Sequence, residues 1–195
     1  MSGRNPAPRR SYGGRSAEER RADRRGRLLA AGLELFGTRG YSATSIEKLC
    51  ATASVSTRNF YEEFSGREEL LVALHSDINE RASAALAAAY AEEPDPRWAR
   101  IAFVEVIGVS AGLERHRLRW RSRWEDALVG MAREAVERGE AVDRDYRLTM
   151  IALIGAVNNL VHHWSARGQD IPLDDITAEL TRLSLAAVTA PPAGP

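Results

Sequence analysis

The chain has 195 residues, with 27 basic and 27 acidic side chains, 44 % hydrophobic residues and one cysteine. Its length suits one compact domain or two small ones, and its apolar content excludes a wholly disordered chain. Lone Cys50 excludes a disulfide framework and a cysteine-rich zinc module, and no apolar run nears the roughly 20 residues that cross a bilayer.

With no signal-peptide core behind Met1, a reducing, cytoplasmic setting is expected, with no membrane partner. The zero net charge conceals an asymmetry. Residues 1–66 hold 12 basic and 7 acidic groups, whereas residues 67–195 hold 15 and 20. An electropositive N-terminal module on a more acidic body is the expectation. All but one of the basic residues are arginine, Lys48 being the exception.

Residues 1–15, with Arg4, Arg9, Arg10 and Arg15, read as a disordered basic arm: either a solvated tail or a strand that tracks a DNA groove. Ser16 and Glu19 fit a capping box opening a helix to about Arg39, with Leu29, Leu33 and Phe36 on one stripe and Gly40 as a left-handed stop. Thr44 with Glu47 reads as a second box, starting a short helix through Ile46, Leu49 and Cys50. Ala53, Ser54 and Val55 separate it from another short helix near Ser56–Phe64. Ser65 with Glu68 reads as a third box, opening a long helix to about Tyr90.

Pro94 and Pro96 break the chain there. Helices of about 97–110, 112–138, 145–167 and 173–189 follow, and no stretch reads as a strand. The fold class is all-α. A helix-turn-helix domain is expected over 16–75, with its motif at about 45–64, then a helical ligand-binding and dimerisation domain over 76–190 and a tail at 191–195.

Two short helices joined by a three-residue turn have a specific use: the second presents polar side chains to base edges in the major groove. Here Ser56, Thr57, Arg58 and Asn59 open that helix. Arginine forks onto guanine, asparagine onto adenine, and hydroxyls reach phosphate or base. Ser45 and Lys48 complete the expected DNA-facing set, Lys48 being equally readable as a solvated helix residue.

The blocks Arg27-Leu28-Leu29-Ala30-Ala31-Gly32-Leu33-Glu34-Leu35-Phe36, Arg39-Gly40-Tyr41-Ser42-Ala43-Thr44-Ser45-Ile46 and Val55-Ser56-Thr57-Arg58-Asn59-Phe60-Tyr61, with Phe64, resemble the DNA-binding domain of the TetR/AcrR family of transcriptional regulators. The resemblance covers about residues 20–75. It implies a non-enzymatic regulator, most often a repressor, that binds a double-stranded operator as a homodimer and answers a small-molecule effector. It makes Thr44 a helix cap that touches phosphate, and Thr57, Arg58 and Asn59 groove readers. It also makes Tyr61 and Arg67 phosphate contacts. Two positions depart from the family: Ser54 stands in the turn where glycine is usual, and Glu63 stands where a carboxylate would repel phosphate.

In the body, Leu153, Val157, Leu160 and Trp164 form one stripe of the 145–167 helix, and Ile151, Ile154, Asn158 and Val161 a second. With Ile176, Leu180, Leu183 and Ala187 of the last helix they suggest a four-helix bundle across a two-fold axis, or a hairpin within one chain. Ile154, Val157, Val161 and Trp164 join those four as the expected dimer interface. Phe103, Ile107, Trp120, Trp124, Leu128 and Met150 read as pocket lining or ordinary core. Glu105, His116, Asn158 and His162 are candidate polar anchors for an apolar or aromatic effector. Adjacent His162 and His163 do not suit one metal, so neither metal nor cofactor is expected. Arg115, Arg117, Arg119, Arg121 and Arg123 spread round their helix and read as solvated. The alternative to a ligand-responsive regulator is a constitutive DNA-binding or scaffolding protein with a filled core.

Overall fold

The computed structural model describes residues 16–87 and 95–190. The basic arm, the C-terminal tail, Pro94 and the stretch around Tyr90 lie outside them. In chain order the helices are α1 (Ala17–Arg39), α2 (Ile46–Ala53), α3 (Thr57–Glu63), α4 (Arg67–Ala87) and α5 (Pro96–Arg100). A π-helical turn (Ile101–Glu105) leads to α6 (Ala111–Glu137), α7 (Arg147–Ala166) and α8 (Leu173–Thr189). No strand occurs among the described residues.

α1 opens on the expected capping box: the Ser16 hydroxyl accepts from Glu19 N–H and the Glu19 carboxylate accepts from Ser16 N–H. Gly40 ends it with φ +91° and ψ 158°, a positive-φ but extended conformation instead of the left-handed helical one. The next two boxes shift by one residue. Ser45 caps α2, accepting from Lys48 N–H, while Thr44 is buried with its hydroxyl donating to the Gly40 carbonyl at 2.9 Å. Ser65 donates from both its N–H and its hydroxyl to Glu69, not Glu68. Glu68 instead accepts from the Ser110 hydroxyl, itself the cap of α6.

The turn between α2 and α3 holds Ser54 in the left-handed region (φ 51°, ψ 49°), at a cost of about 1 kcal/mol for a residue with a Cβ. Arg27 steadies it by donating to the Ala53 and Ser54 carbonyls at 3.1 and 3.0 Å. Glu63 is buried and turned toward α1. Its carboxylate accepts from Arg21 and Arg24, both at 3.1 Å, so it staples α3 to α1 and faces away from any phosphate. The guanidinium of Arg25 donates to the Glu63 carbonyl and lies over the Phe64 ring.

The expected helix over 97–110 is broken. Its five-residue α5, the π-helical turn and positive-φ Gly108 bend the chain before Ser110 restarts it as α6. The broken segment lies against α1, where a Cβ on Gly37 would come within 2.6 Å of Arg97 Cβ. Only a glycine allows helices that close. One apolar core therefore runs from Leu28, Phe36, Leu49, Phe60 and Leu71 into Ile101, Val106 and Leu113, so the packing does not close at residue 75. A smaller cluster of Ala132, Tyr146 and Met150 joins α6 to α7.

Replacing Glu63 with Gln removes the charge that two guanidinium groups share beneath α3. Urea unfolding should show a loss of about 1–3 kcal/mol; unchanged stability would remove the staple from the account.

Candidate nucleic-acid interface and effector cavity

α3 is short, and two aromatic side chains hold it. Phe60 and Phe64 are buried, fixing the opposite face outward. Ser56 caps it by accepting from Asn59 N–H at 3.2 Å. On the open side stand Ser56, Thr57 and Arg58, with Asn59 half-buried; the Arg58 side chain is 89 % exposed and sits 3.5 Å from Glu62. Tyr61 is 57 % exposed with its ring edge-on to Phe60. Lys48 is exposed at the side of α2 and donates to the Ala43 carbonyl, and Ser45 is half-buried as a cap. All of these groups are polar and exposed or half-buried.

Two of the expected contacts are turned elsewhere. Thr44, at 1 % exposure, offers no surface to a phosphate. Arg67 donates to the Tyr41 and Thr44 carbonyls and lies 4.8 Å over the Tyr41 ring, so its guanidinium holds the turn between α1 and α2. Cys50 is buried, and burial raises its thiol above the ordinary range, against any nucleophilic role.

A cavity of about 860 Å³ lies in the body. Phe103, Ile107, Trp120, Trp124 and Leu128 line it, as do Met150, Asn158 and His162. The pattern of the sequence puts its walls on 97–138 and the first half of the 145–167 helix, and the lining of α7 runs on to His162. α4 adds His75, Ile78 and Asn79, and α8 adds Ser184 and Val188. No periodicity on α4 flagged these, because its apolar residues serve the head at one end and the cavity at the other. Arg117 and Arg121 also reach the wall, contrary to their reading as solvated.

Two expected anchors lie elsewhere. His116 is buried behind the wall, 3.3 Å from the Ser76 hydroxyl and edge-on to His75. Glu105 accepts from the Tyr41 N–H at 2.7 Å and from Arg100 at 2.9 Å, facing α1. Asn79 links the helices, accepting from Trp124 Nε1 at 2.9 Å and donating to the His75 carbonyl at 2.8 Å.

The dimer-face residues also divide. Trp164 is buried within the chain and donates to the Ile171 carbonyl, and Ile176 is buried. Ile154 and Val157 line the cavity. Trp164 and Ile176 therefore present no side chain for a second copy to cover, while Ile154 and Val157 are half-buried. Val161, Leu180, Leu183 and Ala187 are half-buried, while Leu148 and Leu185 are exposed by 79 % and 61 %.

Residues 28–74, the span that builds this head, match the family described as bacterial regulatory proteins, tetR family. Over this span the chain is similar to that family. It is 32 % identical over 104 residues to the HTH-type transcriptional regulator TcmR of Streptomyces glaucescens, a match spanning 53 % of this chain and 46 % of that relative. The TetR-type architecture extends over the body. The fatty acid degradation regulator FadR of Bacillus halodurans superposes with a TM-score of 0.72 at 16 % identity, over 88 % of this chain and 97 % of that one. Bacillus subtilis FadR, solved with stearoyl-CoA, gives 0.71 at 17 % identity, over 85 % and 98 %. A TetR-family regulator described from Rhodococcus sp. gives 0.71 at 20 % identity, over 86 % and 100 %. Among the described residues no helix is long and apolar enough to cross a membrane, and no cluster of metal-ligating side chains occurs.

Burial, with His116 and Arg117 nearby, lowers the His75 imidazole from 6.5 to about 4. The unfolded chain takes up that proton near 6.5 and the folded chain only near 4, so stability falls as pH drops through this window. The melting temperature of the chain should fall between these values. His75→Gln should flatten the slope by the equivalent of up to about 3 kcal/mol. Parallel pH profiles for the two proteins would contradict a buried neutral imidazole.

Proposed function

We propose that this chain is a ligand-responsive, non-enzymatic transcriptional regulator of the cytoplasm. In this reading it is a repressor that holds a palindromic operator as a homodimer and leaves it when a small apolar or aromatic effector fills the cavity. One observation carries the reading: the exposed α3 face and the aromatic cavity are built on the same two supports. α4 holds the α1–α2 turn through Arg67 and reaches the cavity through His75 and Asn79. The 96–105 segment holds the same turn through Glu105 and lines the cavity with Phe103.

In this mechanism Thr57, Arg58 and Asn59 read base edges while Ser45, Lys48, Ser56 and Tyr61 meet the backbone. Arg67 acts by holding the turn. Two copies pair through α7 and α8, covering Leu148, Val161, Leu180, Leu183, Leu185 and Ala187. The effector shifts operator affinity only as far as it binds one arrangement of α4 and 96–105 better than the other. A FadR relative of this fold accommodates stearoyl-CoA, and a cavity of this size weighs against the alternative of a constitutive protein with a filled core.

Selection of bound DNA from a random pool should return a palindrome with half-sites about 34 Å apart, or a related spacing. Arg58→Ala should weaken the selected site about tenfold or more and relax one position. A non-repeated consensus, or full affinity in the variant, would contradict the reading.

A further inference from the structure

The polar groups of the cavity wall define what it can accept. Both of its guanidinium groups are already held: Arg117 by the two oxygens of Glu114 at 3.1 and 2.8 Å, and Arg121 by Glu125 at 3.2 Å. His75 is buried and neutral at ordinary pH. The Asn79 amide is committed to Trp124 and the His75 carbonyl. Capacity remains on Asn159, on the Ser184 hydroxyl oxygen and on a pair of side chains on α7. Asn158 and His162 stand one turn apart on α7, on the same face, and both line the cavity.

His162 Nδ1 lies 2.9 Å from the Phe103 carbonyl oxygen. A carbonyl only accepts, so Nδ1 carries the proton. In the neutral ring Nε2 is then an acceptor, and it has no partner among the described residues. The Asn158 amide, with its donor and its acceptor, is likewise without a side-chain hydrogen bond among the described residues. Phe103, Trp120 and Trp124 line the same cavity.

From this arrangement we infer that the effector is an uncharged aromatic molecule whose hydroxyl donates to His162 Nε2 and whose neighbouring oxygen accepts from Asn158. The inference rests on the cavity being the effector site proposed above. An anionic head is disfavoured because it would leave water for a wall whose cations are already paired. A ring without the hydroxyl leaves Nε2 buried and unpartnered. His162 is thereby a specificity-determining residue. It is also bonded to the π-helical turn whose last residue, Glu105, holds the turn between α1 and α2.

The test is a fluorescence titration of the full chain, at about pH 8 where histidine is ordinarily neutral, with pyrene, hydroxypyrene and pyrenesulfonate. Wild-type protein should bind hydroxypyrene roughly three- to tenfold more tightly than pyrene, and pyrenesulfonate most weakly. His162→Phe should still bind pyrene, which shows that it folds, but without preference for the hydroxyl. His162→Gln, which keeps a donor and an acceptor, should restore part of that preference. Equal binding of pyrene and hydroxypyrene, tightest binding of the sulfonate, a preference that survives in His162→Phe, or binding of none of the three would each overturn the inference. Palindrome selection by the same preparation separates that failure from failure of the regulator reading, which would select no DNA.

Discussion

The backbone of Tyr41 is held from two sides, and the geometry of the molecule depends on that grip. Its N–H donates to the Glu105 carboxylate at 2.7 Å, and its carbonyl accepts from Arg67 at 3.0 Å. Both bonds involve a charged partner, which makes them stronger than ordinary peptide hydrogen bonds. The approach requires Gly40. A Cβ there would come within 3.2 Å of the Arg100 guanidinium and 3.3 Å of both Glu105 oxygens, on a backbone with φ +91°. The Tyr41 ring completes the node, tilted against Phe36 at 5.4 Å and covered by Arg67.

That node orients α2 and α3 relative to the body. Arg67 begins α4, whose later turns supply His75, Ile78 and Asn79 to the cavity. Glu105 ends a π-helical turn whose Phe103 lines the same cavity and accepts from His162. A π-helical turn has a wider hydrogen-bonding register than its neighbours, and such turns recur at functional sites. An ion pair and a hydrogen bond reinforce the seam. Arg97 reaches Glu34 at 2.6 Å, and Arg100 donates to the Thr38 carbonyl at 2.9 Å. Head and cavity are thus ends of one packed unit, as the continuous core from Leu28 to Leu113 also shows.

The head was legible because its local signals are strong: the box at Ser16, buried Phe60 and Phe64, and the turn at Ser54 all occur where the pattern predicts. Caps shifted by one residue where two hydroxyls stood together, since Thr44 and Ser45 compete for one role and burial decides between them. Most aromatic lining of the cavity was also visible. What hid was long-range pairing. Glu105 looked like a pocket anchor, Arg67 like a phosphate contact and Glu63 like an obstacle to DNA. Each instead spends its charge inside the chain, on a partner 23 to 64 residues away: Tyr41, Thr44, Arg21 or Arg24. A helix's own periodicity carries no record of such partners. For the same reason Trp164 and Ile176 resembled dimer residues until their burial within one chain was seen.

In the proposed mechanism, filling the cavity is felt at the turn between α1 and α2. Hydrogen exchange of the full chain, with and without hydroxypyrene, measures this directly. Altered exchange is expected in peptides covering residues 37–45 and 97–106, together with the cavity-lining parts of α4, α6 and α7. Protection confined to α6 and α7, with residues 37–45 exchanging at an unchanged rate while the cavity is occupied, would contradict it.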